Sequence, residues 1–211
     1  MKVTALKLQT RNQSRVNVYL DGEFAFGLAK IEAVRLRIGQ ELDEAAIDWL
    51  KAADECEEAY QRATRLIARR PRSETEIRQN LEKHKASEAA IQATLDRLRN
   101  AGLVDDQAFA KLWVENRSAF RPRSKRALRA ELRQKGVAPE ALGEALAETN
   151  DAEAAYQLAA KRAPRLHTLP HPEFRRKLGD YLARRGFDYD IVESVVKRVW
   201  QEVHESSAEQ S

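Results

Sequence analysis

The sequence predicts an all-α chain built from three tandem three-helix repeats forming an elongated curved rod, with a small N-terminal β-hairpin and helix extension. Two observations carry the repeats and a third carries the extension. Arg70-Pro71-Arg72-Ser73 recurs at an offset of 51 residues as Arg121-Pro122-Arg123-Ser124. After each copy the apolar residues fall at the same spacings of 4, 10 and 4: Ile77, Leu81, Ile91 and Leu95 in the first, Leu128, Leu132, Leu142 and Leu146 in the second. A third set led by Pro172 repeats them with Leu178, Leu182, Val192 and Val196. Three copies in register define a tandem array whose small units bury their apolar faces by stacking. The extension is marked by alternation around Asp21-Gly22, a type I′ hairpin signal.

In chain order, residues 1–54 read as the extension. Val3–Leu8 is a first strand; Val16, Val18 and Leu20 then alternate ahead of Asp21-Gly22, and Phe24 and Phe26 follow it. Ile38-Gly39 is read as ending a short helix, and Asp43 as capping a longer one that continues into repeat one. Repeat one spans 55–104. Tyr60, Ala63 and Ile67 mark its opening helix, Ser73 caps the next, and Glu76 completes a capping box. Gly136 and Gly186 stand where the middle helices of repeats two and three stop, because glycine accepts the left-handed turn found there; repeat one has Lys85 at that place. A helix bearing Ile91, Leu95 and Leu98 ends at Gly102. Repeat two spans 105–150, its opening helix capped by Asp105 or Asp106 and packed through Phe109, Leu112 and Trp113. Repeat three spans 151–204, with Tyr156, Ala159 and Ala160 in the same role, and 205–211 reads as a disordered tail.

Charge is unevenly distributed. Residues 65–135 hold 18 Lys/Arg against 9 Asp/Glu, residues 136–160 hold five acids and no Lys or Arg, and residues 161–185 hold eight Lys/Arg against two acids. The first fifty residues are balanced. Basic stretches divided by an acidic one suit a polyanion or a charged protein surface. One cysteine, Cys56, permits neither a disulfide framework nor a thiolate metal cluster within the chain. No apolar run has the length of a signal peptide core or a membrane span, so a cytoplasmic protein is expected.

No catalytic constellation stands out. Asp105-Asp106 is explained by a helix start. His167 and His171 have ligand spacing, but Pro170 and Pro172 break the helix that a zinc pair needs. His84 and His204 read as isolated, exposed residues. No enzyme, metal or cofactor is expected. The basic residues are the better lead: Arg70 and Arg72 in repeat one; Arg117, Arg121, Arg123, Lys125, Arg126, Arg129, Arg133 and Lys135 in repeat two; Arg175, Arg176, Lys177, Arg184 and Arg185 in repeat three. On a helix beginning near Ser124, Lys125, Arg129 and Arg133 share a stripe while Leu128 and Leu132 face the core. Such a stripe fits phosphates or a carboxylate-rich groove.

These motifs resemble a known family. Arg70-Pro71-Arg72-Ser73-Glu74, then Arg97-Leu98 with Ala101-Gly102-Leu103 and Asp105-Asp106, then Phe109-Ala110, resemble the signature of the RecX family, regulators of the RecA recombinase. Leu132-Arg133-Gln134-Lys135-Gly136-Val137 is similar to its second-repeat motif, and Arg184-Arg185-Gly186-Phe187 to its third. Asn17 to Gly27 resembles the N-terminal extension of longer members. The departure is His84-Lys85, where the family usually shows Lys-Gly. The resemblance implies a cofactor-free monomer lying in the groove of the RecA–single-stranded DNA filament. There it modulates, mostly inhibits, ATP hydrolysis, strand exchange and coprotease activity, with weak direct DNA contact as an accessory mode. The alternative is a helix-turn-helix DNA-binding regulator acting without RecA; three stacked units suit a filament better than one major groove.

Overall fold

The structure is a computed structural model describing residues 1–208. Three antiparallel strands open the chain: β1 (Val3–Leu8), β2 (Arg15–Leu20) and β3 (Glu23–Ala29), with β2 central. The β2–β3 turn is the expected one. Asp21 and Gly22 both take positive φ, 49° and 92°, as a type I′ turn requires. Alternation places Val16, Val18 and Leu20 on the buried face, where they meet Val3, Leu28, Leu36, Ile47 and Leu50.

The short helix expected to end at Ile38-Gly39 is instead α1 (Lys30–Ala33), and the chain then turns through Val34–Leu36. Helix α2 (Glu44–Ile67) is capped by the Asp43 carboxylate, which accepts from the Ala46 N–H at 2.8 Å. It runs unbroken from the extension into repeat one, so residues 54 and 55 lie within one helix. Its Asp54 is buried and paired: the carboxylate accepts from the Ala29 N–H at 2.6 Å and from Arg15 Nη2 at 2.7 Å. The sheet is thereby tied to the helix through a neutralised charge, the form in which a buried carboxylate is tolerated.

Repeat one consists of the second half of α2 with α3 (Glu74–Lys83) and α4 (Glu88–Asn100). Ala59, Ala63, Ile77, Leu81, Ile91, Leu95 and Leu98 form its core. Ser73 caps α3, accepting from the Glu76 N–H at 3.2 Å, and Ser87 caps α4. Residues 1–105 form one compact unit.

The described residues from 106 onward form the second. Repeat two is α5 (Asp106–Phe120), α6 (Lys125–Gln134) and α7 (Pro139–Ala145); repeat three is α8 (Asp151–Arg162), a 3₁₀ turn (Ala163–Arg165), α9 (His171–Ala183) and α10 (Tyr189–Ala208). Leu128, Leu132, Leu142 and Leu146 are buried with Phe109, Ala110 and Val114. Leu112, expected in this core, is 47% exposed. The helix turns Val114 inward in its place, and half-buried Trp113 covers the edge. In repeat three Phe174, Leu178, Leu182, Val195, Val196 and Val199 are buried. Fully burying one such side chain is worth about 1.5–3 kcal/mol, so each core can offset the ordering of its helices.

His204 also departs from expectation. It is half-buried and stacks on Trp200 at 3.6 Å, with His171 on the same ring at 4.8 Å. The cause is the length of α10, which carries His204 one turn past Trp200 and continues to Ala208, into the stretch read as tail. Residues 209–211 of that stretch lie outside the described residues. Among the described residues no helix is long and apolar enough to cross a membrane.

Candidate functional site

The predicted basic residues separate by what holds them. In repeat one, Arg70 grips Glu76 through both Nη atoms, at 2.9 and 3.0 Å. Arg72 is half-buried, and its Nε has no hydrogen-bond partner among the described residues. Burial, then the neighbouring Arg70, pushes its guanidinium below its ordinary pKa; desolvation and like charge both disfavour the cation.

In repeat two, Glu131 gathers three donors. Its carboxylate accepts from Trp113 Nε1 at 2.9 Å and Arg117 Nε at 2.8 Å, and meets Arg123 Nε at 3.0 Å. Arg117 and Lys135 also lie over the Trp113 ring, at 4.4 and 4.3 Å from its centroid, close enough for cation–π attraction. Arg117, Arg123 and Lys135 are therefore built into a clamp between α5 and α6. The stripe itself lies on the opposite flank of α6. Lys125, Arg129 and Arg133 form no ion pair among the described residues. Arg133 is exposed as expected, whereas Lys125 and Arg129 are half-buried, their stems lying beside the Leu128 and Leu132 positions. Exposed Arg121 likewise has no ion pair there.

Arg126 serves the contact between repeats two and three. It donates to the Gly186 carbonyl at 3.2 Å and pairs with Asp188 at 3.6 Å. Around it, the Ser124 N–H donates to the Arg185 carbonyl at 3.1 Å, and the Lys125 N–H to the Asp151 carboxylate at 2.7 Å. The first N–H groups of α6, which no helix can satisfy internally, are thus met by repeat three. Gly186 makes this approach possible. A Cβ on it would stand 2.7 Å from Ser124 Oγ and 2.9 Å from the Ala127 Cβ.

In repeat three, Arg175 pairs with Glu193 at 3.1 Å and Lys177 with Glu173 at 4.0 Å. Arg185 donates to the Tyr181 carbonyl and lies 3.8 Å over its ring. Exposed Arg176 and Arg184 form no ion pair among the described residues. Of the predicted basic residues in this unit, those without an ion pair or ring contact among the described residues are therefore Arg121, Lys125, Arg129, Arg133, Arg176 and Arg184. Glu131 is one of two acids within the basic stretch of repeat two, but sequence reasoning missed which side chains it takes, and it missed Asp151 as a docking group. Both work across helix pairs, and no local spacing reveals them. No group of three or more His, Cys, Asp or Glu suited to a metal occurs among the described residues.

Comparison with known proteins matches this architecture element by element. The regulatory protein RecX N-terminal domain matches residues 1–43, and the first, second and third RecX three-helix domains match 59–98, 105–146 and 149–196. A regulatory protein RecX of Levilactobacillus brevis is 34% identical over 194 residues, covering 90% of this chain and 73% of the relative. One from Chlorobium phaeobacteroides is 38% identical over 143 residues, covering 68% and 94%. A crystal structure of regulatory protein RecX superposes with a TM-score of 0.71 at 30% identity, covering 92% of this chain and 98% of that one. The RecX of Lactobacillus salivarius, at 22% identity and a TM-score of 0.61, shares the fold. With a sheet-bearing extension and three three-helix units all matched in order, the chain belongs to the RecX family of regulatory proteins.

Proposed function

We propose that this protein binds the RecA–single-stranded DNA filament as a monomer and modulates, mostly inhibits, RecA ATP hydrolysis, strand exchange and coprotease activity. The observation that carries the reading is the flank of α6. Lys125, Arg129 and Arg133 carry three cations with no ion pair among the described residues, whereas neighbouring Arg117 and Arg123 share Glu131. Unneutralised charge on a rigid helix is suited to an acidic groove or to phosphates. Arg176 and Arg184 supply a second cluster in the adjoining repeat. Linked clusters raise affinity through effective concentration, by roughly a hundredfold when both engage.

Removing residues 151–211 is a poor test, because repeat three satisfies the first N–H groups of α6. Charge reversal is cleaner. A variant with Lys125→Glu, Arg129→Glu and Arg133→Glu keeps its fold by circular dichroism and needs about tenfold or more protein to inhibit RecA ATPase. Adding Arg176→Glu and Arg184→Glu weakens inhibition further. Unchanged inhibition by the folded five-site variant refutes this face as the docking surface. Binding to bare duplex DNA as tight as to the filament would favour the helix-turn-helix alternative.

A further inference from the structure

The N-terminal unit contains a polar pocket of about 380 Å³ between the β1–β2 loop, α2 and the turn after α3. Its size is that of a small-ligand site. Its walls carry Arg62 and Arg65 from α2, His84 and Lys85 from the turn, and Ser14 from the loop. Two acids also face it, but both are engaged: Glu55 accepts from the Ser87 N–H and hydroxyl at 2.7 and 2.8 Å, and Glu58 pairs with Arg15. Arg62, Arg65 and Lys85 have no ion pair among the described residues. With Arg15, Arg62, Arg65 and Lys85 set against the two carboxylates, the pocket carries an excess of positive charge.

Lys85 sharpens the case. It occupies the left-handed conformation, φ +62°, at the position where the other two repeats place Gly136 and Gly186. Glycine accepts that backbone without steric cost and lysine does not. The chain therefore holds a strained residue at the mouth of the pocket, and the side chain gained there is an ammonium group. A strained residue at a pocket mouth is a pointer to function.

We propose that this pocket binds a phosphate group, with Arg62, Arg65 and Lys85 supplying the charge and the hydrogen-bond donors. No Phe, Tyr or Trp lines it and its one ring is the exposed His84 imidazole, so a nucleobase has little stacking surface and recognition rests on phosphate. The source that best suits this is the backbone of a single strand, read without regard to sequence; a free phosphate or nucleotide shares the chemistry. The site is on the N-terminal unit, apart from the α6 flank, and it does not depend on the RecA reading.

The test uses the full chain without RecA, in chloride buffer, with two probes: oligothymidylate by fluorescence anisotropy and inorganic phosphate by calorimetry. The variants are Arg62→Gln with Arg65→Gln, and Lys85→Gly, which relieves backbone strain and so remains folded. Both weaken binding, the double variant by about tenfold. If the source is a DNA backbone, inorganic phosphate competes with the oligonucleotide, and the slope of log affinity against log salt falls by about 0.7 in the double variant. If the source is a small ligand, the variants lose phosphate binding while oligonucleotide affinity is unchanged. Wild-type affinity for both probes in both folded variants overturns the proposal.

Discussion

The turn after α3 and the turn after α9 use the same left-handed backbone for different ends. After α9 it is Gly186, with φ +90°, and the missing side chain is what lets repeat three press against Ser124 and Ala127 of α6. After α3 it is Lys85, with φ +62°, exposed and facing a pocket rather than a helix. Backbone strain alone excludes a side chain from neither place. Close packing excludes it from the first, while at the second there is room for a side chain and for what its charge can hold.

Three substitutions break or sharpen this comparison, each read by urea denaturation. The largest effect belongs to Gly186→Ala, which meets both the left-handed penalty and a collision with Ser124 Oγ and Ala127. About 3 kcal/mol of destabilisation is expected, and a loss below 1 kcal/mol would show that packing does not govern that turn. Gly102→Ala isolates the backbone term. Gly102 has φ +64° and nothing within 4 Å of the added Cβ, so the loss should be about 1 kcal/mol. The smallest effect, of opposite sign, is expected from Lys85→Gly. Relief of strain outweighs the added freedom of the unfolded chain by roughly 0.5 kcal/mol. A destabilised Lys85→Gly protein would mean that the lysine makes a stabilising contact in the free protein and is not held in reserve for a ligand.

What was legible in the sequence was what is local. Ile77 with Leu81 and Leu128 with Leu132 lie one turn apart on single helices, and Asp21-Gly22 specifies its own turn, so helix faces and hairpin follow directly. Leu112 and His204 were misread because their surroundings come from elsewhere. Which side of α5 is covered depends on α7, and His204 is drawn onto Trp200 by a helix longer than its apolar pattern suggests. The charged face was legible as composition but not as circuitry. Arg117, Arg123, Lys125 and Arg129 look equivalent along the chain, yet Glu131 takes the first two and leaves the others. That division depends on how α5 crosses α6, which no short spacing encodes.

The continuity of α2 has a consequence for how the chain comes apart. Its 24 residues reach about 36 Å, with the sheet bonded to its middle through Asp54 and the core of repeat one built on its far half. No hinge or loop separates the two. Opening the sheet strips Asp54 of its partners and frays the helix that repeat one needs, so slow amide exchange in β2 and in the Ala59–Ala63 turn should be lost together. The N-terminal extension is therefore not a detachable cassette: graft, truncation or proteolytic nick near residue 54, between the two matched family domains, cuts through a single cooperative element.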